Sequence, residues 1–354
     1  MRRTATLFFT LWAMLAVGAA DAGPVLLFDA KTGNVLYARE AMAPWAPASL
    51  TKLMTAYVTF RAIRDERLKE DQRIPCSAEA HAQPPSKLGL PTGATIDVKT
   101  ALKALIVMSA NDVAVMLAEA VSGSVEKFVA EMNAIALELG MTGTYFTNPH
   151  GLPAAHQMTT ARDIGLLTRA LIRDFPEYDG LFGLESIKIG KRTVRSHNKM
   201  LGQFNGADGM KTGYICASGY NLVASATRGK RRVVAVVLGA KSGNARRAEA
   251  ADLLERGFQD AWWKGINPKK LEELSPPYEY GLLPEHMGPV VCRGRYSDGE
   301  DAYAVDAKLR AQLEAEKITQ IAKAPRLASA STVNPMIDPG PESDVPIPTL
   351  RPDR

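Results

Sequence analysis

The chain has 354 residues, with 43 Lys and Arg against 38 Asp and Glu and a formal net charge of +5. So small an excess does not indicate a nucleic-acid partner. The hydrophobic share of 46% excludes a disordered chain and allows a sizeable core.

Met1-Arg2-Arg3, an apolar run over residues 4–19 and Ala20-Asp21-Ala22 form the pattern of a signal peptide over 1–22, cut after Ala22 so that the mature chain begins at Gly23. An uncleaved anchor is the alternative; against it, the run is at the short limit for a span and a small-x-small site follows at once. Losing two arginines and one aspartate with the leader takes the formal charge from +5 to +4. No later stretch approaches transmembrane length.

Val25-Leu26-Leu27-Phe28 and Val35-Leu36-Tyr37 flank Lys31-Thr32-Gly33, which predicts a hairpin with Gly33 in the turn. Pro44-Trp45-Ala46-Pro47-Ala48 cannot be helical throughout, whereas Leu53, Met54, Tyr57, Phe60 and Ile63 then recur with helical spacing. Ser49 therefore falls at or beside a helix N-terminus, where free backbone N–H groups and the positive dipole end favour an oxyanion. Lys52 lies at i+3 on the same face. It can act as a base only if uncharged, which requires a dry site with Lys211 nearby to lower its pKa. The plain alternative makes Ser49 a helix cap and Lys52 a solvated lysine.

Asp97 caps an amphipathic run over 98–107, and a second helix is predicted from about 112 to 121. Ser109-Ala110-Asn111 forms the corner between them. Ser109 can relay a proton between Lys52 and a leaving group; Asn111 can orient Lys52 and hold a substrate carbonyl. Both can equally do no more than satisfy helix ends. Three β-rich runs follow between about 209 and 238, predicting adjacent antiparallel strands, the first carrying Lys211-Thr212-Gly213-Tyr214. Gly213 lets a ligand backbone approach, and Lys211 projects a charge into the cleft. A closing helix spans about 244 to 263.

Each tripeptide or tetrapeptide signal is weak alone, because the chain repeats them. Ser-x-x-Lys recurs at Ser124 and Ser196, Ser-x-Asn at Ser196 and Ser242, and Lys-Thr-Gly at Lys31. The context that selects one copy of each is a helix start, a corner between helices and a strand.

In that order and context, Ser49-x-x-Lys52, Ser109-x-Asn111 and Lys211-Thr212-Gly213 resemble the motifs of the D-alanyl-D-alanine carboxypeptidases among the low-molecular-mass penicillin-binding proteins. The resemblance covers about 23 to 263 and is reinforced by Thr147-Asn148-Pro149-His150-Gly151-Leu152, Thr159-Thr160-Ala161-Arg162-Asp163 and Ser218-Gly219-Tyr220-Asn221-Leu222-Val223-Ala224-Ser225-Ala226. It implies Ser49 as acyl-ester nucleophile, Lys52 as proton acceptor and Ser109 as catalytic partner. It further implies Asn111, Lys211, Thr212, Gly213, Tyr214 and Arg246 as substrate-binding residues, with the Ser49 and Tyr214 N–H groups as oxyanion hole. Arg247 is a solvated neighbour. The partners implied are peptidoglycan stem peptides, with β-lactams as covalent inhibitors, in the periplasmic or cell-wall space after secretion across the inner membrane.

Three other readings compete. A β-lactamase needs a Glu-activated water in a Glu-x-x-x-Asn loop, and no such string occurs between Asn111 and Lys211. A D,D-endopeptidase on cross-links would use the same Ser49. A wall-binding scaffold with a vestigial site is disfavoured by the complete set Ser49, Lys52, Ser109 and Lys211.

The fold expected is α+β: an antiparallel sheet covered by helices plus an all-helical lobe, of the β-lactamase and transpeptidase kind, over residues 23–264. The extension 265–354 reads as largely irregular or disordered and Pro-rich, with a possible helix at 305–322 and no strong C-terminal membrane anchor. Cys76, Cys216 and Cys292 allow at most one internal disulfide, with no pair preferred. The five histidines lack zinc-site spacing, so no metal or cofactor is expected; His150 is assigned a structural hydrogen bond.

Overall fold

Every second residue of two apolar strands faces the opposite way, and that alternation builds two cores on one sheet. A computed structural model describes residues 23–259, 268–275 and 284–292. The leader at 1–22, the helix proposed at 305–322 and the last Pro-rich segment lie outside the described residues. Strands β1 (Val25–Asp29) and β2 (Val35–Arg39) form the N-terminal hairpin; β7 (Ala207–Ile215), β8 (Gly219–Arg228) and β9 (Arg231–Ala240) complete an antiparallel sheet in the order β2-β1-β9-β8-β7. Leu26, Phe28, Val234, Val236 and Leu238 face one core. Val25, Leu27, Val233, Ala235 and Val237 face the other, under Leu253 and Leu254 of helix α8 (Gly243–Phe258). Burial on both faces explains why β1 and β9 read as continuous apolar runs instead of alternating ones.

The helical lobe is wound around α1 (Thr51–Arg64). Leu53, Met54, Tyr57 and Phe60 are buried as their spacing predicts, but Thr51, Lys52, Thr55 and Thr59 are buried as well. A helix closed off on all sides is central, not amphipathic. Around it stand α3 (Val98–Val107), α4 (Asn111–Ser122), α5 (Val125–Glu138) and α6 (Ala161–Asp174). The lobe is not wholly helical: β3 (Arg73–Pro75) and β4 (Thr95–Asp97) form a short ladder that periodicity alone does not announce.

The recurring motif copies resolve into local structure. Asp29 accepts the N–H groups of Lys31 and Thr32 in the hairpin turn, Ser124 and Ser242 cap α5 and α8, and Ser196 accepts from Asn198 N in a turn. Among the described residues none of these serines hydrogen-bonds a lysine amine, as Ser49 does.

Two stretches of the extension expected at 265–354 to lack a packed core are built into this unit. Lys269 O accepts Val35 N at 2.8 Å, Leu271 N donates to Gly33 O at 3.0 Å, and the Leu271 side chain is fully buried in the main core. Cys292 forms a disulfide with Cys216, leaving Cys76 free and buried. The pairing that the cysteine count left open is thus between the end of β7 and the extension. Leu271→Ala is expected to cost about 2–5 kcal/mol of unfolding free energy in a urea titration; a change within experimental scatter contradicts this role of the extension.

Candidate active site

Ser49 is presented by a pinned turn. Trp45 exchanges two backbone hydrogen bonds with Thr159, its indole N–H donates to Ser218 O at 2.9 Å, and Asn221 Nδ2 donates to Ala46 O and Pro47 O at 2.9 and 3.2 Å. The chain then enters a 3₁₀ turn, Ala48–Leu50, that runs directly into α1. Ser49 precedes the α-helix proper and caps nothing. Gly151 has φ +88°, and a Cβ there would lie 1.8 Å from Ala48 O. Only glycine lets the Asn148-Pro149-His150-Gly151 loop pass this close beneath the Ser49 turn. Gly213 plays a matching part: a Cβ on it would come within 3.1 Å of Pro47 O and 3.2 Å of Ser49 N. The close approach that Gly213 permits is therefore first that of the protein's own turn, not of a ligand backbone.

Lys52 has no exposed surface, and its Nζ lies 2.9 Å from Ser49 Oγ, 2.7 Å from Asn111 Oδ1 and 2.6 Å from His150 O. Two of these partners are carbonyl oxygens, which can only accept. A neutral amine has two N–H donors for them and one lone pair left for the Ser49 hydroxyl proton. Burial holds the amine well below its ordinary pKa, and Lys211 lowers it further against the opposing charge of Asp112. Lys52 thus sits in the dry setting, with Lys211 nearby, that an uncharged amine requires.

Ser109 sits in the corner between α3 and α4 with φ +60°, buried, and its Oγ accepts from Lys211 Nζ at 2.9 Å. The expected relay from Lys52 is thus redirected: the hydroxyl bonds Lys211, not Lys52. Lys211 itself is fully buried behind Ser109 rather than projecting into the cleft, and its second contact is Thr212 O at 2.9 Å. Burial, then the Arg246 charge, push its pKa down to about 7.

Asn111 orients Lys52 as expected, but its Nδ2, assigned by sequence to a substrate carbonyl, donates to Pro84 O at 2.9 Å. Its backbone N–H donates to Ser86 O at 2.7 Å, and Asp112 accepts from Leu88 N and Gly89 N at 2.9 and 2.8 Å. The first residues of α4 therefore fasten the 84–89 loop, a supporting role visible in the sequence only as an aspartate following the motif. His150 was assigned a hydrogen bond; its ring accepts Leu152 N at 3.2 Å, while its backbone oxygen, which no residue type advertises, binds Lys52. Burial and the Lys52 charge push its ring pKa down to about 3, so it stays neutral.

Arg246 reaches back from the start of α8 to donate to Gly213 O and Asn221 O at 3.3 and 2.9 Å, with Tyr220 beneath its guanidinium. Burial pushes its pKa down to about 10, leaving it cationic at neutral pH. Arg247 turns away to Gln203 and Asn244. Ser49, Ser109, Asn111, Thr212, Gly213, Tyr214 and Arg246 all line one cleft of about 320 Å³, to which Tyr220 of the 218–226 string and His197, which sequence reasoning assigns no role, also contribute. A cavity of similar volume, about 310 Å³, opens beside Lys99, Tyr178 and Leu184, but no hydroxyl with a neighbouring buried amine lines it. Among the described residues no cluster of His, Cys, Asp and Glu is arranged to hold a metal.

Residues 13–242 match the D-alanyl-D-alanine carboxypeptidase family. The chain is 39% identical over 259 residues to D-alanyl-D-alanine carboxypeptidase DacC of Escherichia coli, an alignment covering 71% of this chain and 64% of that protein. It is 34% identical over 302 residues to DacA of Haemophilus influenzae, covering 81% and 77%. The chain thus spans somewhat less than two thirds of the length of DacC. Among solved structures it resembles penicillin binding protein 6B of Escherichia coli, with TM-score 0.65 and 38% identity over 67% of this chain and 77% of that one. A penicillin-binding protein of Listeria monocytogenes in its ampicillin-bound form is also similar, with TM-score 0.60 and 31% identity over 67% and 97%.

The contact beneath the turn has a direct test. Gly151→Ala forces a Cβ against Ala48 O in a backbone region L-residues avoid, and is expected to cost about 3 kcal/mol or more in thermal or urea unfolding. An unchanged midpoint contradicts the geometry.

Proposed function

Because the chain belongs to the D-alanyl-D-alanine carboxypeptidase family, we propose that it removes the terminal D-alanine from peptidoglycan stem pentapeptides as a serine-type carboxypeptidase, with the acyl group carried on Ser49. The observation that carries this reading is the hydrogen-bond set of Lys52, in which two carbonyl acceptors leave a lone pair facing the Ser49 hydroxyl.

In this mechanism Lys52 takes the Ser49 proton as Oγ bonds to the carbonyl carbon of the penultimate D-alanine. The oxyanion is met by the N–H groups of Ser49 and Tyr214; the close approach of Gly213 to Ser49 N supports their convergence. The C–N bond then breaks, and the departing D-alanine nitrogen takes a proton through Ser109, which the bond to Lys211 supplies. Lys52 then gives up its proton to solvent as Lys211 regains one, which restores both amines. Water adds to the ester with Lys52 as base, Lys52 returns that proton to Ser49 Oγ, and the tetrapeptide leaves as its carboxylate, its acid proton going to solvent. Thr212 and the cationic Arg246 bind the substrate's terminal carboxylate, with Lys211 adding positive potential from behind. β-Lactams are read as covalent ligands of Ser49; the ampicillin-bound Listeria relative supports this.

The enzyme is placed outside the cytoplasmic membrane on the strength of the leader read at 1–22, and its mild basicity suits polyanionic wall surroundings. Among the described residues no helix is long and apolar enough to cross a membrane.

Mass spectrometry of exported protein after penicillin treatment is expected to find the adduct on Ser49 and Gly23 as first residue. Lys52→Ala is expected to slow acylation by about 10² to 10⁴-fold; acylation at the normal rate removes Lys52 from its role. The pH dependence has a definite sign. Protonated Lys52 cannot accept the serine proton, so acylation fails as pH falls through its depressed pKa, and Lys211 is one cause of that depression. Lys211→Gln is therefore expected to move the acidic limb of the acylation profile to higher pH; a shift to lower pH contradicts the electrostatic coupling.

A further inference from the structure

The disulfide lies at the lip of the cleft. Cys216 directly follows Ile215, which lines the cleft, and its partner Cys292 ends a strap over residues 284–292. The strap is seated on the domain: Met287 is buried, and its N–H donates to Ala217 O at 2.9 Å. Tyr214 is 43% exposed, yet its position is determined from two sides. Its hydroxyl lies 3.2 Å from Cys292 Sγ and 3.8 Å from Cys216 Sγ, and its ring centroid stands 4.4 Å from that of Tyr220, over which Arg246 lies at 5.6 Å. Disulfide sulfur can only accept, so the tyrosine hydroxyl donates to the bridge.

We propose that the Cys216–Cys292 bridge and its strap are a specificity-determining element of the substrate site, holding the Tyr214 ring as a fixed wall beside the substrate's terminal residue. This rests on the carboxypeptidase reading, because it takes the substrate's terminal carboxylate to lie at Thr212 and Arg246. A wall fixed there restricts the leaving residue to one as small as alanine, and opening the bridge releases the wall.

The reacting groups do not depend on the bridge. Ile215 pairs with Gly219 in the β7–β8 ladder, and Ile215 and Ala217 pack against Ala46 and Ala48 beneath the Ser49 turn. Lys52 and Ser109 are held by neither cysteine. The effect of opening the bridge therefore falls on binding and selectivity, with turnover preserved. Both half-buried sulfurs are within reach of a small thiol, whereas the one other cysteine, Cys76, is already free. A soluble dithiol passes two electrons and two protons to the bridge, leaving Cys216 and Cys292 as thiols and closing to its own cyclic disulfide.

The test compares release of the last residue from pentapeptides ending in D-alanine and in D-leucine, by oxidised wild type, dithiol-reduced wild type and the C216S/C292S variant. Opening the bridge is expected to raise KM for the D-alanine peptide and to narrow the D-alanine over D-leucine preference in kcat/KM by about threefold to tenfold, the range commanded by a sulfur–aromatic contact, with kcat held within about twofold. Tyr214→Ala is expected to show the narrowed preference with the bridge intact and no further response to the dithiol. A preference that ignores the state of the bridge overturns the inference, as does a Tyr214→Ala protein that still responds to reduction. Oxidised wild type inactive on both peptides sinks the carboxypeptidase reading and this inference together, whereas active wild type with an indifferent ratio sinks only the inference. Chemical reduction of folded wild type decides the matter even where the double cysteine variant fails to fold.

Discussion

Two lysine amines, Lys52 and Lys211, are buried near one another, and among the described residues no carboxylate hydrogen-bonds to either. Asp112 is the buried carboxylate closest in its effect on Lys52, and it spends its oxygens on the backbone amides of Leu88, Gly89 and Val113. An arrangement of this kind cannot keep both amines charged. For Lys211 a pKa pushed from 10.5 to about 7 corresponds to about 5 kcal/mol of lost preference for the ammonium form. Since the unfolded chain still binds that proton, the cost to folding grows as pH falls from 10.5 toward 7. A fold that sustains such a pair must offset it with packing elsewhere.

The rest of the architecture supplies that packing and fixes the pair in place. Burying α1 on every side keeps water from Lys52, and β9, covered on both faces, holds β8 and β7 so that Lys211 meets Ser109. Two glycines allow the tight approaches: Gly151 beneath the 3₁₀ turn and Gly213 beside it. Two non-glycine residues adopt positive φ at the candidate site itself, Ala48 immediately before Ser49 and Ser109 in its corner. Strain of this sort persists only where the surroundings over-determine it. Here Trp45, Asn221 and the 148–151 loop do so for the turn, and the two flanking helices do so for the corner.

What the sequence made legible was local. The hairpin turn at Lys31, the cap at Asp97, the helix after Ser49 and the strand carrying Lys211 each follow from residues within a few positions of one another. Two kinds of fact were out of reach. One is contacts between distant segments: Leu271 entering the core from the extension, or Cys216 meeting Cys292 rather than Cys76. The other is the identity of a partner when several are chemically equivalent. Ser109 could have bonded either lysine, and only the packed geometry assigns it to Lys211. The His150 carbonyl was invisible for a further reason: every residue has one. Gly213 is read from sequence as a point where a ligand backbone approaches; the approach seen in the fold is that of the protein's own 47–49 turn.

On the carboxypeptidase reading proposed above, the same electrostatics would give an anionic substrate a part in its own turnover. After burial, the Arg246 charge is what holds Lys211 near a pKa of about 7. A carboxylate seated against Thr212 and Arg246 offsets that positive potential and favours the Lys211 ammonium, which lies 2.9 Å from the Ser109 hydroxyl. Positive charge at Lys211 in turn keeps Lys52 neutral. On the mechanism proposed above, binding would poise the two amines in opposite states, one able to take the serine proton and the other to supply one toward the leaving nitrogen. On the same mechanism a peptide lacking the terminal carboxylate would leave both amines competing for neutrality, so discrimination for a free chain end would act on the chemical step as well as on affinity.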